Sequence, residues 1–315
     1  MTETTRTIFE KYLVRKTKKQ KSRFIDFVQN QAREDGYECR VEKGYLGARN
    51  IVVGNPDRAK VIYTAHYDTC ARLPFPNFIT PKNIGIYLLY QLVITVAILG
   101  SALLIWAGLL FLIGQISLDA AFLVISLGFY VILWAMLWLI LAGPANKHTA
   151  NDNTSGVTVL LDLMNTLPED LRGEVAFVFF DLEEMGLFGS AGFASGHKAV
   201  MKNTLLLNFD CVSDGDTILF AVGKGAKKYI PALQLAFPAT DTHSVEIGCK
   251  GVFYPSDQAN FRRGVGVAAL KKTRRGILYM DRIHTKRDTV YEAGNIAFLI
   301  DGAVRLTQNL TQSET

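Results

Sequence analysis

Apolar residues follow two different patterns along this chain. Short runs rich in β-branched and aromatic residues occur at Asn50–Val53, Val61–Thr64, Glu174–Phe180, Thr204–Phe209 and Gly276–Met280. Each is bounded by polar or turn-forming residues and predicts a strand. Apolar residues at helical spacing predict helices over Thr5–Arg33, Ser155–Leu167 and Asn295–Leu310. Strand and helix alternate. This predicts an α/β fold, a three-layer α/β/α sandwich around a mixed, mostly parallel sheet.

Between Asn83 and Asn146 the alternation stops, and Asp119 is the sole formal charge in 64 residues. Ile84–Ile113 is uncharged for 30 residues. As a helix it reaches roughly 45 Å, enough to cross a hydrocarbon core about 30 Å thick. Gly114, Gln115 and Ser117 break the run, and Ala120–Ala142 supplies a second, ending at Gly143-Pro144. The three tryptophans, Trp106, Trp134 and Trp138, all lie in these runs. The competing assignment is a pair of buried core helices, but such helices rarely lack charge over so long a stretch. The expected organisation is a discontinuous domain, 1–82 and 147–315, interrupted by a transmembrane hairpin at 83–146. Lys82 and Lys147 flank the hairpin, its turn has no Lys or Arg, and residues 11–23 add seven basic side chains. The positive-inside rule puts the polar domain in the cytoplasm. The basic stretch reads either as a solvated helix face or as a contact for anionic headgroups.

Composition narrows the picture. At 49% hydrophobic and 20% charged, the 315 residues are neither disordered, collagen-like nor coiled coil. The net charge of +5 is too mild to argue for nucleic acid, and no nucleic-acid partner is expected. Cys39, Cys70, Cys211 and Cys249 are far apart and form no CxxC pair, so they read as reduced thiols. The N-terminal stretch is polar and basic and lacks the apolar core of a signal peptide.

The chemistry collects where strands end. Val61–Thr64 runs into Ala65-His66-Tyr67-Asp68-Thr69, and Val175–Phe180 into Asp181-Leu182-Glu183-Glu184-Met185-Gly186. Leu205–Phe209 leads to Asp210, and Ile277–Met280 to a segment containing Ile283-His284-Thr285-Lys286-Arg287-Asp288. Asn151-Asp152-Asn153-Thr154-Ser155-Gly156 precedes a helix. Open α/β sheets bind ligands at the carboxyl ends of their strands. A His/Asp/Glu set without cysteine suits zinc or a similar divalent ion. The His66-Tyr67-Asp68 spacing suggests that Asp68 orients the imidazole from behind. Of two adjacent glutamates on an extended segment, one can bind metal while the other faces water.

In this order, AHYDT, NDNTSG, DLEEMGLFGS, LNFD and IHTKRDT resemble the di-zinc aminopeptidase family, which includes bacterial leucyl aminopeptidases, aminopeptidase Y and glutamate carboxypeptidases. The resemblance covers about Tyr37–Thr69 and Asn151–Gln308. It implies two divalent metal ions, zinc in the first instance, one held by His66 and Asp210, the other by Glu184 and His284, with Asp152 bridging. It also implies Glu183 as general base, Asp68 orienting His66, a cis peptide at Asp152–Asn153, and a peptide or amide substrate with a free α-amine. Ser256–Phe261 resembles a family loop near the substrate, but Gln258 stands where histidine is common.

An amidohydrolase or glutaminyl cyclase on the same scaffold is the alternative. Cyclase relatives keep one zinc and fewer ligands, whereas all five ligand positions are filled here. A non-catalytic scaffold predicts lost ligands, and a channel predicts polar groups within the spans. No ligand is lost, and apart from Gln91, Thr95 and a few serines the spans hold no polar group. Because the hairpin leaves between Asp68 and Asp152, the catalytic mouth is expected to face the bilayer, within reach of hydrophobic or membrane-derived peptides. His148, His197, His243, Asp162, Asp181 and the basic group at 262–275 read as loop, surface or structural residues. The oligomeric state is not legible.

Overall fold

The computed structural model describes residues 1–114, 122 and 124–312. Helices α1 (Glu3–Lys11) and α2 (Lys18–Glu34) lead to strands β1 (Cys39–Lys43), β2 (Arg49–Gly54) and β3 (Val61–His66). The apolar helices α3 (Ile84–Gly114) and α4 (Phe129–Ala142) follow, then α5 (Gly156–Thr166), β4 (Val175–Phe180), α6 (Phe188–Gly196), α7 (Lys198–Asn203) and β5 (Leu205–Phe209). The chain finishes with β6 (Thr217–Val222), α8 (Ile230–Ala236), β7 (Ser244–Gly248), β8 (Gly264–Lys272), β9 (Leu278–Tyr279) and α9 (Ala293–Gln312).

The strands form one mixed sheet in the order β1-β2-β4-β3-β5-β8-β6-β7, with β9 on the end of β8. The predicted mostly parallel sheet is found at its centre, where β4, β3, β5 and β8 run parallel, and again at one edge, where β6 and β7 do. β1, β2 and β6 attach antiparallel. The period of two sorts side chains between layers. Tyr63, Phe177 and Leu207 join one core with α1, α2, α5, α8 and α9, while Ile62, Val178 and Leu206 join a second with Phe193 of α6 and Val200 of α7. Helices therefore cover both faces, as expected of a three-layer sandwich.

Several elements differ from expectation: β1, β6, β7, α6, α7 and α8 have no counterpart in the prediction, and two further differences bear on the site. The helix predicted over Thr5–Arg33 is broken at residues 12–17. Thr17 and Gln20 form a capping box that starts α2 afresh, and Arg15 in the gap turns into the core. Strand β8 has no counterpart in the prediction because Gly264-Val265-Gly266 merges into Ala268-Ala269 without a β-rich signature.

Among the described residues one helix, Ile84–Ile113, is long and apolar enough to cross a membrane. The second apolar helix, Phe129–Ala142, has 14 residues and follows a π-helical turn at Val124–Gly128. Gln115, Ser117 and Asp119, with Ala120, Ala121 and Leu123 at the start of the second apolar run, lie outside the described residues. α3 packs on α4, and both direct large apolar side chains outward, Leu104 at 75% and Trp134 at 70% exposure. Their roots are joined to the sheet domain. Arg72 N–H donates to the Pro144 carbonyl at 2.8 Å, Asn146 N–H to Cys70 at 3.1 Å, and Ile79 pairs with Met280.

Candidate active site

The strand ends meet at one place because β3, β4, β5 and β8 are neighbours and the first three point the same way. β3 ends at His66, the β4 extension carries Glu183 and Glu184, and β5 delivers Asp210. Asp152 arrives from the turn before α5 and is followed by the cis Asp152–Asn153 peptide. The residues beside it hold that turn. Asn151 Oδ1 accepts from Ser213 N–H at 2.7 Å, and Asn153 Nδ2 donates to the Phe209 carbonyl at 2.9 Å. Asp288 accepts the N–H groups of Asn151 and Asp152 at 2.8 and 3.0 Å. Gly156 completes the approach, since a Cβ there would lie 2.2 Å from the Phe209 carbonyl oxygen. Four non-glycine residues with left-handed φ, Leu182, Leu187, Cys211 and His284, border the same site, a conformation held only where its surroundings enforce it.

The two carboxylate oxygens of Asp152 face different histidines. Oδ1 lies 3.3 Å from His66 Nε2 and Oδ2 lies 3.1 Å from His284 Nε2. His66 Nε2 is also 3.5 Å from Asp210, and His284 Nε2 is 3.3 Å from Glu184. Donor atoms therefore gather in two sets that share Asp152, with Glu183 beside the His66–Asp210 set. Glu184 Oε1 is buried without a hydrogen-bond partner. Imidazoles, carboxylates and an orphaned buried oxygen are the donor set that a divalent ion satisfies. Asp68 stands behind. Its backbone carbonyl lies 3.1 Å from His66 Nδ1, while its carboxylate is 3.7 Å from that nitrogen and accepts the N–H groups of Glu183 and Glu184 at 3.0 and 3.3 Å. The residue thus ties the histidine loop to the glutamate loop.

The electrostatics express crowding of like charge. Burial pushes Glu183 well above the ordinary carboxylate range, and Glu184, Asp210 and Asp257 add to the shift against the opposing effect of His66. Burial and Asp152 raise Glu184 to about 8 despite His284. Burial opposes a charged imidazole at His284, yet Glu184 and Asp152 raise it to about 9. His66 is likewise raised against burial, by Glu183, Asp152, Asp210 and Asp68. Excess negative charge that protons relieve here is charge that cations relieve when bound.

All seven residues predicted for the site therefore stand together. Three further groups shape it. Asp288, inside the IHTKRDT motif, carries no role in the sequence reading; its carboxyl is raised to about 8 by burial and by Asp152. Asp257 is buried beside Glu183 and Asp210 and raised to about 7, burial being the main cause. Arg15, counted above among the basic residues of the membrane boundary, is fully buried. Its Nε donates to the Tyr67 carbonyl at 2.5 Å and its Nη1 to Thr154 at 3.2 Å. Lys21 is also withdrawn, paired with Asp181 at 2.5 Å. Neither touches headgroups, since both are committed inside the domain. A single basic residue in a basic run gives no sign that it folds inward.

Other candidates resolve simply. Gln258 donates to the Tyr254 carbonyl and accepts from Asn208, so its amide is committed to packing beside β5 and β8. His197 is less exposed than its sequence context suggests. It lies 2.9 Å from Glu42 and stacks on Phe193. His243 stacks on Phe298, and His148 is exposed in a loop. Asp162 accepts the hydroxyls of Thr2 and Thr5. Cys70 and Cys211 adjoin the site as buried thiols, raised by burial and nearby carboxylates. In the basic group, Lys271 pairs with Asp281 and Lys272 with Glu246.

A helix-covered mixed sheet with a His/Asp/Glu cluster at its strand ends defines a metal-dependent hydrolase. Residues 136–296, just over half of the chain, match peptidase family M28, and the chain belongs to that family. It is a zinc metallopeptidase-type hydrolase. The match contains Asp152, Glu183, Glu184, Asp210 and His284 and leaves out His66 and Asp68. No curated protein matches the chain. Among solved structures, the LapA aminopeptidase of Legionella pneumophila is 12% identical with a TM-score of 0.57, covering 98% of this chain and 70% of its own. A glutaminyl cyclase of Bacteroides thetaiotaomicron bound to N-acetylhistamine is 13% identical with a TM-score of 0.57, covering 97% and 95%. A leucine aminopeptidase precursor from the same organism is 12% identical with a TM-score of 0.56, covering 97% and 94%. At such identities the likeness is one of fold.

Proposed function

We propose that the protein is a membrane-anchored metallo-aminopeptidase that uses two divalent ions, zinc in the first instance, to cleave the N-terminal amide bond of peptides. The observation that carries this reading is the division of the Asp152 carboxylate between His66 and His284, each with its own further carboxylate. His66 and Asp210 would hold one ion, Glu184 and His284 the other, and Asp152 would serve both. The ions, when bound, acidify water and polarise the scissile carbonyl.

The chain's own residues do the rest. Glu183 lies within ligand distance of His66 and Asp210, and this reading gives it the base's role rather than a metal. It accepts a proton from the attacking water and passes it to the departing amine. Asp68 keeps Glu183 and His66 in register through the Glu183 N–H and its own carbonyl. Leu141, Leu187 and Tyr254 wall a cavity of about 370 Å³ around the cluster, room for a residue or two of peptide, which favours removal of terminal residues.

The domain at 1–82 and 147–315 carries the chemistry and the hairpin at 83–146 carries the anchor. Lys82 and Lys147 at its base favour a cytoplasmic domain. The test is elemental analysis of the purified full chain together with a panel of aminoacyl fluorogenic amides and a glutaminyl peptide. Two equivalents of metal and release of the fluorescent amine are expected. Ammonia release from the glutaminyl peptide, with no amide cleaved, would assign the cyclase chemistry instead.

A further inference from the structure

The apolar helices do more at their roots than leave the domain. Leu141, near the end of α4, lines the cavity that holds His66, Asp152, Glu183 and His284. A second cavity of about 660 Å³ lies alongside. Glu184 and Met185 belong to the walls of both cavities, so the two adjoin at the ligand side chains. The wall of the second cavity is apolar on two sides. Leu139, Leu141 and Ala142 come from α4, and Leu182 and Met185 face them from the glutamate loop. Leu139 lies four residues before Gly143, about 6 Å up the helix axis, and is itself 58% exposed. Its neighbours Trp138 and Trp134 are exposed on the same helix, at 66% and 70%.

The rim of this cavity is basic. Lys16 lines it and donates to the Leu141 carbonyl at 2.9 Å, at the C-terminal end of α4, where a cation offsets the unpaired carbonyls. Thr17 also lines it, and Lys18 and Lys19, next in sequence, are exposed. An apolar slot flanked by exposed apolar helix, with lysines at its edge and carboxylates at its inner end, matches one arrangement of ligand. The apolar part lies toward the hydrocarbon, the polar backbone crosses at headgroup level, and the terminal amine reaches the carboxylates.

We infer that the cavity between α4 and the glutamate loop is the substrate entrance, and that it takes peptides whose free N-terminus is followed by apolar residues lying in the bilayer surface. This rests on the aminopeptidase reading and names its substrate class. Leu139 and Leu182, from opposite walls, are then specificity-determining residues, and the hairpin is part of the binding site.

The test uses the full chain in vesicles of phosphatidylcholine and phosphatidylglycerol. Two leucyl amides are compared, one with a short water-soluble leaving amine and one with a long alkyl amine, alongside a leucyl peptide carrying a diazirine in its apolar segment. The quantity read is the ratio of kcat/KM for the alkyl amide to that for the soluble amide. Partitioning raises this ratio for any membrane-bound enzyme, so the variants decide. Leu139→Asn and Leu182→Asn should each lower it about tenfold, the scale of one lost apolar side-chain contact. Asparagine suits the left-handed backbone of Leu182, so that variant remains informative if Leu139→Asn fails to fold. The diazirine should label residues 139–145 or 182–185. An unchanged ratio in a folded variant, or labelling elsewhere only, overturns the inference while cleavage of both amides leaves the aminopeptidase reading intact. Cleavage of neither amide by metal-loaded protein overturns that reading, and labelling at 139–145 or 182–185 then still supports the cavity.

Discussion

The two halves of the metal site are built differently. The His66 half lies within the sheet. His66 is the last residue of β3, its side chain is 1% exposed, and Asp210 follows the adjacent strand β5. The His284 half lies on loops. His284 has a left-handed backbone, its side chain is 18% exposed, and its carbonyl accepts from Leu73 on the segment leading to the hairpin. Asn146, at the far root of the hairpin, donates to the Thr285 carbonyl at 3.0 Å. The difference teaches how the site divides its work. The sheet supplies a rigid half that positions, and the loops supply a more open half to which the roots of the apolar helices are bonded.

Asp152 joins the halves, so its removal gives the largest effect. Asp152→Ala should lose both metal ions and all measurable peptidase activity, read by elemental analysis and the amide panel. A full metal complement in that variant would separate the halves and refute the shared ligand.

Glu183→Gln should spare both halves. Metal content and fold stay, while kcat falls by roughly 10²–10⁴, the usual worth of a general base. Near-normal turnover in metal-replete protein would place the base elsewhere.

The smallest effect is on stability, and it tests the charge crowding. In the metal-free protein Glu184, Asp257, Asp288 and His284 are raised to about 8, 7, 8 and 9. Groups with raised folded values contribute stability below their unfolded values that is lost as pH rises through the folded ones. The Tm of metal-free protein should therefore fall between pH 5 and 9, by roughly 5 °C or more. Asp152 and Asp68 are lowered, by His284 and His66 for the first and by His66 and Lys21 for the second, in each case against burial. Their contribution is lost only on acidification and is constant in this window. Zinc should flatten the profile, because the ions replace the protons. A metal-free Tm independent of pH over that range would contradict the crowding.

Much of this molecule is decided locally. Strand runs such as Val61–Thr64 and Val175–Phe180 carry their own β signal, and the polar residues following them are the site residues, because strand ends are where an α/β sheet opens. The long uncharged runs declare themselves by composition, which is a property of the segment alone. Asp288, Asp257 and Arg15 were illegible for the opposite reason. An aspartate that clamps a neighbouring backbone, a buried carboxyl, and an arginine that turns inward look on paper like any charged residue. Their roles depend on what the fold puts opposite them. Strand β8 was similarly hidden, since Gly264 and Gly266 pack against Gln258 and owe their strand conformation to β5 and β6.

The sequence by itself determined which segments are apolar, which strand ends hold histidines and carboxylates, and the order in which those residues arrive. Only the tertiary structure decided that Asp152 faces two histidines, that Asp68 spans the histidine and glutamate loops, and that Leu141 of the apolar hairpin walls the catalytic cavity. The physical reason is range. Hydrophobic period and strand propensity act over a few neighbouring residues, whereas burial, charge pairing and cavity shape arise between groups 50 to 150 positions apart, which folding alone brings within a few ångströms.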